Sequence, residues 1–528
     1  MATYYVDPSA STNGSGTAGS PYNTWVGITL TANNTYLQKR GTTYTGAAVR
    51  PQNQSSAAAT PLTIGAYFNA DGSDDASKPK PIINHNGGTN GVGAVMIDTC
   101  TNVVVQDIAG TNSKGALGGG VHVRRSVGVL VQRCDCYDNE HGIIIQQDQA
   151  AATSVTTDVT VQDCLAYSNN GMGIGFRWGA TSTAILERVK VLRNIVRNNG
   201  VAKTVSPAGG SIPAVGIGSY LQNKASIGSA GFVSFDLVVE NNVVSDNNGY
   251  GVNIEGWGAK SWLSSVSRND ISGSGFSGDL DSHSLWVGHC FDLLIERNYV
   301  HDNFAWIGQA IGSGVGIFVD YNATSTNAGA RCVVRGNLVE RQWRGATSAL
   351  NFGASAGIFV SLFDDTQVTG NVIQYCRNGI AIGTITTPRT RVANNTILNC
   401  DNCGIANFAL ATNTTITNNV ISGTTNGIFI NTTSTSGVTE TYNAIGPVTT
   451  AYLNGTPTAP TATTGSATDS LGNFAGSFNS DGSLRNSNSS LATAGTYVSG
   501  VTLANGRLRP GYVPIGAYMA VLPRTART

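Results

Sequence analysis

The chain has 528 residues, of which 65 are Gly and only 12% are charged, about half the charged fraction of an average chain. A hydrophobic content of 41% excludes the disordered class, which combines few apolar residues with high net charge. The net charge is zero without any run of Lys or Arg, so nucleic acid is not an expected partner, and no apolar stretch reaches the ~18 residues of a membrane span.

Residues 1–90 open the chain without the repeat that follows them. The first residues, MATYYVDPSAS, contain no basic region and no apolar run, so we expect no Sec signal peptide. Because the open end of a stacked fold would expose unpaired strand edges, we predict that residues 1–90 form an N-terminal cap.

Residues 91–445 contain a repeated pattern: apolar-x-x-Asn-x-apolar, a polar turn, then Gly-apolar-x-apolar. Examples are QVTGNVIQYCRNGIAI (367–382), RVANNTILNCDNCGIANF (391–408) and TITNNVISGTTNGIFI (415–430). The anchor asparagines are Asn194, Asn242, Asn298, Asn337, Asn371, Asn395 and Asn419. The last two gaps are 24 residues and the earlier ones are longer, which indicates insertions between conserved short strands.

A repeat of 20–24 residues with two or three short strands is typical of a parallel β-solenoid. One coil cannot bury its apolar face alone, whereas stacked coils share a continuous core. The anchor asparagines suit an internal ladder, in which each side-chain amide bonds to the next coil. We therefore predict an all-β parallel β-helix over residues 91–445.

The nine cysteines fit the same pattern. Cys376 and Cys400 each lie five residues after an anchor asparagine, and Cys134 and Cys164 occupy equivalent positions in VQRCDCYDN and VQDCLAYSN. We expect buried thiols stacked between coils. Cys400 and Cys403 form a lone CxxC, which has no second pair at zinc-site spacing, and no metal site is expected.

Residues 446–528 begin with a stretch rich in Thr, Ser, Gly, Ala and Asn, TGSATDSLGNFAGSFNSDGS. We predict an irregular C-terminal region that closes the last coils. The opening YYVDPSASTNGSGTAGSPYNTW and the ending RPGYVPIGAYMA, together with the repeat, resemble the right-handed parallel β-helix proteins of the pectate-lyase type. That resemblance implies a β-helix that acts on polysaccharides, as do lyases, glycoside hydrolases and phage tailspikes. It implies nothing about which chemistry occurs.

Catalytic groups of such a fold are expected on the outside, in consecutive coils. The residue after each Gly-apolar-x-apolar strand gives the predicted edge series Arg124, Gln146, Arg177, Glu255, Val287, Asp320, Ser361 and Gly383. Its charges are concentrated in the middle coils. We predict a glycoside hydrolase, with Glu255 as acid and Asp320 as base. Two coils separate their backbones by roughly 10 Å, and side-chain reach would bring the carboxyl groups into the range of about 6.5–9.5 Å that inverting enzymes use. Trp257 would raise the pKa of Glu255 by desolvation.

The segment GDLDSHSLWVGHCFD (278–292) adds further candidate catalytic groups, which are Asp279, Asp281 and His283. Six of the seven tryptophans fall between residues 178 and 343, and indoles stack on the C–H faces of sugars. The expected substrate-binding residues are Arg124, Arg177, Trp178, Trp257, Lys260 and Tyr321.

Two alternatives stay open at this point. A polysaccharide lyase would use a base, and a cation or Ca²⁺ to neutralise the uronate carboxylate. Arg124, Arg177, Lys260 and His283 could serve, and Asp364 and Asp365 could hold the Ca²⁺. A non-catalytic virion decoration or receptor-binding protein would need no charged edge. The expected partners are a polysaccharide, other virion proteins and two further copies in a homotrimer, and the expected location is a virion or the extracellular space.

Overall fold

Short parallel strands connected by tight turns make up the structure. The computed structural model describes residues 1–87, 91–115, 117–147, 155–178, 185–200, 214–221, 234–261, 264–274, 283–303, 314–320, 331–342, 356–361, 363–383, 389–407, 413–431, 437–456, 459–465 and 470–471. None of these segments forms a helix that could cross a membrane. The chain divides into two units, residues 1–248 with 255–262, and residues 249–254 with 263–528.

The first unit contains three parallel sheets, named 1A, 1B and 1C. Sheet 1A contains β1 (Thr3–Val6), β2 (Thr35–Lys39), β4 (Leu62–Tyr67), β7 (Thr101–Gln106), β10 (Val127–Gln132), β13 (Val155–Gln162), β16 (Ile185–Leu192), β19 (Ser234–Glu240) and β22 (Trp257–Gly258). Sheet 1B contains β3 (Thr43–Thr45), β5 (Ile82–Asn84), β8 (Ala109–Thr111), β11 (Asp135–Tyr137), β14 (Leu165–Tyr167), β17 (Ile195–Arg197) and β20 (Val243–Ser245). Sheet 1C contains β6 (Val95–Asp98), β9 (Gly119–Arg124), β12 (His141–Gln146), β15 (Ile174–Trp178) and β18 (Val215–Leu221).

The second unit repeats this arrangement in sheets 2A, 2B and 2C. Sheet 2A contains β23 (Ser264–Ser267), β26 (Leu293–Glu296), β29 (Val333–Arg335), β32 (Gln367–Thr369), β35 (Arg391–Ala393), β38 (Thr415–Thr417) and β41 (Thr439–Thr441). Sheet 2B contains β24 (Asp270–Ser272), β27 (Tyr299–His301), β30 (Leu338–Glu340), β33 (Val372–Gln374), β36 (Thr396–Leu398), β39 (Val420–Ser422), β42 (Ala444–Ile445) and β45 (Ser470–Leu471). Sheet 2C contains β21 (Tyr250–Glu255, of which the last residue belongs to the first unit), β25 (Leu285–Gly288), β28 (Ile317–Asp320), β31 (Ala356–Val360), β34 (Asn378–Ile382), β37 (Cys403–Asn407), β40 (Thr424–Asn431), β43 (Val448–Thr456) and β44 (Ala459–Thr463).

Each coil runs through the A, B and C sheets in turn, so a strand pairs with its equivalent in the next coil. In sheet 1A, for example, Val129 pairs with Val103 on one side and with Val159 on the other. Alternate residues such as Val121 and Val123 point into the core and are fully buried. The predicted parallel β-helix is confirmed, because period-2 strands stack apolar faces in register.

Asparagine ladders connect the coils of the second unit. The main-chain N–H of Asn371 donates to Oδ1 of Asn395 at 3.0 Å, and Nδ2 of Asn395 donates to the carbonyl of Val368 at 2.9 Å. The same two bonds recur along a ladder of buried asparagines, which are Asn269, Asn298, Asn337, Asn371, Asn395, Asn419 and Asn443. Each amide therefore satisfies main-chain groups that the turn would otherwise leave buried and unpaired.

The first unit contains the predicted ladder through Asn194 and Asn242 and a second one that was not predicted. The second ladder joins side chains five residues further along the chain, which are Asn139, Asn169, Asn199 and Asn247. Ladder partners are 30 or 48 residues apart in this unit. The coils thus keep one register although their lengths differ.

Every cysteine is a buried free thiol. Cys134 stacks on Cys164, whose Sγ accepts the main-chain N–H of Cys134 at 3.4 Å, and burial raises the pKa of the Cys134 thiol well above its usual value. The prediction of buried, stacked cysteines is confirmed. The predicted equivalence of positions is wrong, because Cys134 and Cys164 follow A strands at the anchor position itself, whereas Cys376 and Cys400 follow B strands. A thiol held neutral by burial behaves as a small apolar side chain.

Strand pairing begins at Thr3, because β1 pairs in parallel with β2, inside the segment predicted to be a cap. At the other end β43 pairs in parallel with β40, and β44 folds back on β43 as an antiparallel strand, inside the segment predicted to be irregular. The predicted boundaries at residues 90 and 445 therefore do not coincide with a change in strand pairing. Residues 472–528 lie outside the described part of the chain.

Removing one rung of the ladder in the second unit should destabilise the fold. In Asn395→Ala the N–H of Asn371 and the carbonyl of Val368 lose their partners, at about 1–3 kcal/mol for each buried group. We expect a clear fall in the thermal midpoint measured by circular dichroism. Asn413→Gly is the control, since Asn413 is exposed at φ 58°, a conformation that Gly accepts. Equal midpoints for the two variants would contradict the ladder's role.

Candidate functional site

A row of polar side chains follows the outer edge of sheet 1C. Arg124 pairs with Gln146, Gln146 with Arg177, and Arg177 with Tyr220. The predicted order of Arg124, Gln146 and Arg177 is confirmed. Two positions of this edge were not predicted: Asp98, which pairs with Arg124, and Tyr220, whose strand VGIGSYL has Ser219 where the pattern has its second apolar residue.

Asp98 is the centre of an ion cluster at one end of this row. Its side chain has no exposed surface and accepts bonds from Arg50 (2.6 Å), Arg124 (2.8 Å) and Arg125 (2.6 Å). Burial would raise the pKa of the Asp98 carboxyl, but the arginine bonds outweigh it and hold the pKa well below its usual range. Asp98 is thus a permanent anion, and Arg124 is already oriented by it.

Further along the row the side chains are buried. His122 lies beside the row, with Nε2 at 2.7 Å from Oε1 of Gln146, and burial lowers the pKa of His122 to about 4. The imidazole is therefore neutral at pH 7, and we assign the proton to Nε2 because Gln146 Oε1 can only accept. Arg177 is only 6% exposed, which is unusual for a cation on the outside of a sheet.

Glu255 ends β21 and belongs to the first unit. Its main-chain N–H donates to Oγ of Ser219 at 3.1 Å, next to Tyr220 of the polar row. The side chain is 2% exposed although it occupies an outward position, since the alternate residues Val252 and Ile254 are the core-facing ones. A carboxyl group removed from water is costly and is a common feature of functional sites.

Two residues predicted to bind substrate lie elsewhere. Trp257 is fully buried and packs edge-on against Phe176 at 5.5 Å, because Gly256 at φ 72° turns the chain into β22 of sheet 1A. The expectation of an exposed Trp257 ring is wrong. Lys260 forms an ion pair with Glu187 and lies over the ring of Phe235, both on sheet 1A, so it is not part of the sheet 1C row.

In the second unit, Asp320 is half-buried at the end of β28 and pairs with Gly288. The predicted edge residue Val287 is wrong by one position. Val287 pairs with Val319 and is fully buried in the core, because SLWV starts one residue later in the coil than the pattern assumed.

Aromatic side chains cover the outer face of sheet 2C beside Asp320. Trp286 pairs with Phe318 and Phe318 with Phe359, and the two phenyl rings stack at 4.7 Å. Tyr250 stacks on Trp286 at 5.9 Å. Trp286 occupies the outward position between the core residues Leu285 and Val287. Trp286 and Phe318 nevertheless keep only 7% and 8% of their surface exposed.

His283 lies against the same aromatic surface, edge-on to Phe318 at 4.7 Å. Burial lowers the pKa of His283 to about 3, so the imidazole is neutral at pH 7 and a weak base. This environment does not suit the predicted catalytic role, which needs a pKa near the working pH.

Several predicted residues lie outside the described part of the chain, namely Asp279, Asp281 and Tyr321. Trp178 continues β15 and pairs with Leu221.

Asp364, one of the two acids considered for Ca²⁺, forms an ion pair with Arg389. Within the described ranges, no three His, Cys, Asp or Glu side chains converge as metal ligands would.

A hydrogen-bonded cluster on sheet 2B was not predicted. His301 Nε2 lies 2.8 Å from Asp270 and Nδ1 lies 2.6 Å from Asp302. Burial alone would lower the pKa of His301, but the two carboxylates outweigh it and the pKa is raised. Tyr299 stacks on the imidazole at 3.9 Å and bonds to Glu340 at 2.5 Å. Because strand pairing brings these residues together from different coils, only the repeat register could have revealed them.

Two family models match parts of the chain. One, described as a right handed beta helix region, matches residues 72–224, and one described as periplasmic copper-binding protein (NosD) matches residues 308–455. Residues 308–455 contain no histidine, and the thiols of Cys376 and Cys400 donate to main-chain carbonyls. These residues do not fit a copper site.

No curated protein matches the chain. Among solved structures, similarity extends to a GH136 lacto-N-biosidase from Eubacterium ramulus (15% identity, 75% of this chain and 63% of that chain, TM-score 0.44). It also extends to the Dettilon tailspike protein (13%, 83% and 68%, TM-score 0.45) and to the A-module of the mannuronan C-5 epimerase AlgE4 from Azotobacter vinelandii (12%, 69% and 86%, TM-score 0.40). The chain thus spans less than two thirds of the lacto-N-biosidase chain.

The His301 cluster predicts a pH-dependent stability. Since the pKa of His301 is raised in the folded state, its contribution is complete below the unfolded value of about 6.5 and is lost as pH rises through the folded value. The thermal midpoint should therefore fall between pH 6 and pH 9 by more in the wild type than in His301→Asn. Parallel midpoint curves for the two proteins would contradict a charged His301.

Proposed function

Because the chain is a right-handed parallel β-helix, we propose that it acts on a polysaccharide, which each unit would bind at the outer face of its own C sheet. Each face presents groups that can bind sugar units on successive coils. Sheet 1C provides the guanidinium groups of Arg124 and Arg177 for hydroxyl or carboxylate oxygens. On sheet 2C, the small exposed parts of Trp286 (7%) and Phe318 (8%) offer apolar surface to a sugar ring beside Asp320.

The burial of Glu255 is the observation that supports an enzymatic function. A solenoid needs no carboxyl group at an outward position that is 2% exposed, and keeping one there costs folding free energy. A carboxyl group at an outward position beside the polar row is placed to donate a proton to a glycosidic oxygen. We assign Glu255 as the general acid.

Asp320 is the proposed general base. It is half-buried at the end of its strand, so its carboxyl group keeps access to the water that a general base must activate. As general base it would take a proton from water while the water attacks the anomeric carbon from the opposite face. The glycosidic bond breaks, the leaving oxygen takes the proton of Glu255, and the product gains a reducing end.

The competing reaction is β-elimination on a uronate-containing polymer. Arg124 and Arg177 would neutralise the uronate carboxylate in that case. Two of the four candidate groups fit poorly as bases, since Lys260 is paired with Glu187 on sheet 1A and His283 has a pKa of about 3. Hydrolysis is therefore the proposed reaction, and elimination is an outcome that the product analysis distinguishes.

We further propose that the protein is a tailspike-like depolymerase, carried on a virion or released outside the cell, which cleaves a bacterial surface polysaccharide.

It would assemble as a homotrimer attached to other virion proteins. Light scattering measures the assembly directly, and a monomer at micromolar concentration would contradict the trimer.

Substitution of the two carboxyl groups tests the reaction. Incubated with a panel of capsular and extracellular polysaccharides, the wild type should release reducing ends from at least one. Glu255→Gln and Asp320→Asn should each lower that rate by at least about 100-fold, because removal of a general acid or base costs 10²–10⁴.

Glu296→Gln is the matched control, since Glu296 lies on sheet 2A in an ion pair with Arg335 and should leave the rate unchanged. Undiminished release by Glu255→Gln would overturn the assignment of the acid. Products that carry the ultraviolet absorbance of an unsaturated uronate would replace hydrolysis with elimination.

A further inference from the structure

An open cleft in the first unit is lined by none of the proposed catalytic residues. It has a volume of about 570 Å³ and is lined by residues 46–48, Arg50, His85, Asn86 and Val92. Binding pockets for small molecules measure roughly 300–1,000 Å³, so the cleft has room for sugar units. Its small apolar wall residues, Ala47, Ala48 and Val92, provide surface for the C–H face of a sugar ring.

Arg50 supplies a fixed cation at this cleft. Its Nη2 donates to Oδ2 of Asp98 at 2.6 Å, and in the described part of the chain this is its one hydrogen bond. Asp98 Oδ2 is shared with Arg124 at 2.8 Å. A guanidinium group has five N–H donors, so Arg50 keeps most of its donors for a ligand while Asp98 holds it in place.

The cluster around Asp98 carries a net positive charge, because three arginines share one carboxylate. Arg50 and Arg124 both bond to a single carboxylate oxygen, and their side chains remain 36% and 21% exposed. A carboxylate that approached Arg50 would meet a planar pair of donors, a geometry that Arg offers to carboxylates and Lys does not.

His85 supplies a hydrogen-bond acceptor. Ser113 Oγ donates its one proton to the carbonyl of Val92 at 2.7 Å, so it must accept from His85 Nδ1 at 3.0 Å. His85 Nε2 is then unprotonated. Burial lowers the pKa of His85, which keeps this tautomer neutral at pH 7. A neutral Nε2 can accept the proton of a sugar hydroxyl group.

We propose that the cleft binds a carboxylate-bearing sugar, a uronate-type unit of the polysaccharide, with its carboxylate on Arg50 and a hydroxyl group on His85. This inference rests on the proposed function and adds the substrate class: the polymer is acidic. The Asn86 amide at the rim offers both donors and an acceptor to the remaining hydroxyl groups.

Calorimetric titration tests the inference with three probes: oligogalacturonate, oligomannuronate and hyaluronan oligosaccharides, each beside its carboxyl-reduced counterpart. At least one acidic probe should bind, its reduced form should bind more weakly, and the affinity should fall with added salt. Arg50→Gln should weaken that binding by about 10- to 100-fold, the range for a charge-assisted hydrogen-bond pair.

Arg133→Gln is the control, because Arg133 forms an exposed ion pair with Asp107 on another sheet edge and should bind like the wild type. The thermal midpoint of Arg50→Gln identifies a loss of fold, and Arg50→Lys, which keeps the charge but not the planar fork, should bind with intermediate affinity.

The outcomes separate this inference from the proposed function. If no acidic probe binds, or the reduced forms bind equally well, the cleft assignment is overturned even when a neutral polysaccharide is cleaved. If an acidic probe binds through Arg50 and no polymer is cleaved, the cleft assignment holds and the hydrolase assignment fails.

Discussion

Satisfying buried main-chain groups at the turns is the constraint on which this structure depends. Stacked coils place the N–H and carbonyl groups of each turn out of water, where an unpaired group costs about 1–3 kcal/mol. The side-chain amide of asparagine solves this locally, because its oxygen accepts one main-chain N–H while its nitrogen donates to a carbonyl of another coil. Asn298, Asn337 and Asn371 repeat this arrangement with distances of 2.9–3.0 Å.

The ladder also explains how the coils can differ in length and still stack. Ladder partners are 24 residues apart late in the second unit and 39 residues apart near its start. The bonds between coils are nevertheless the same, so the residues between the ladder positions are free to vary. This freedom allows functional groups such as Glu255 and the Asp98 cluster to be carried at the sheet edges without loss of the core.

Much of the fold could be predicted because its determinants are local and repeated. The anchor asparagines and the stacked cysteines follow from spacing within a single coil. The second ladder through Asn169 and Asn199 carried the same signal, an asparagine five residues after each anchor position, and was overlooked. The edge position of β25, which is Gly288 and not Val287, could not be predicted. The segment SLWV lacks the glycine that marks the start of the other strands.

The candidate site was harder to predict because it depends on contacts between coils. The order of Arg124, Gln146 and Arg177 follows from aligned strands, whereas the ion cluster of Asp98 requires an arginine from a separate segment, Arg50. The position of Trp257 depends on the left-handed Gly256, which directs the chain to another sheet. Sequence spacing gives the position along a coil, but not which side chains are removed from water.

The central claim is that the β-helix hydrolyses a polysaccharide, and the fate of water in the products tests it most directly. Digestion of an accepted polymer in water labelled with the heavy oxygen isotope, followed by mass spectrometry, should show one labelled oxygen in each newly formed reducing end. Products formed without label and lighter by one water would demonstrate elimination and contradict the account, as would the absence of any cleaved polymer.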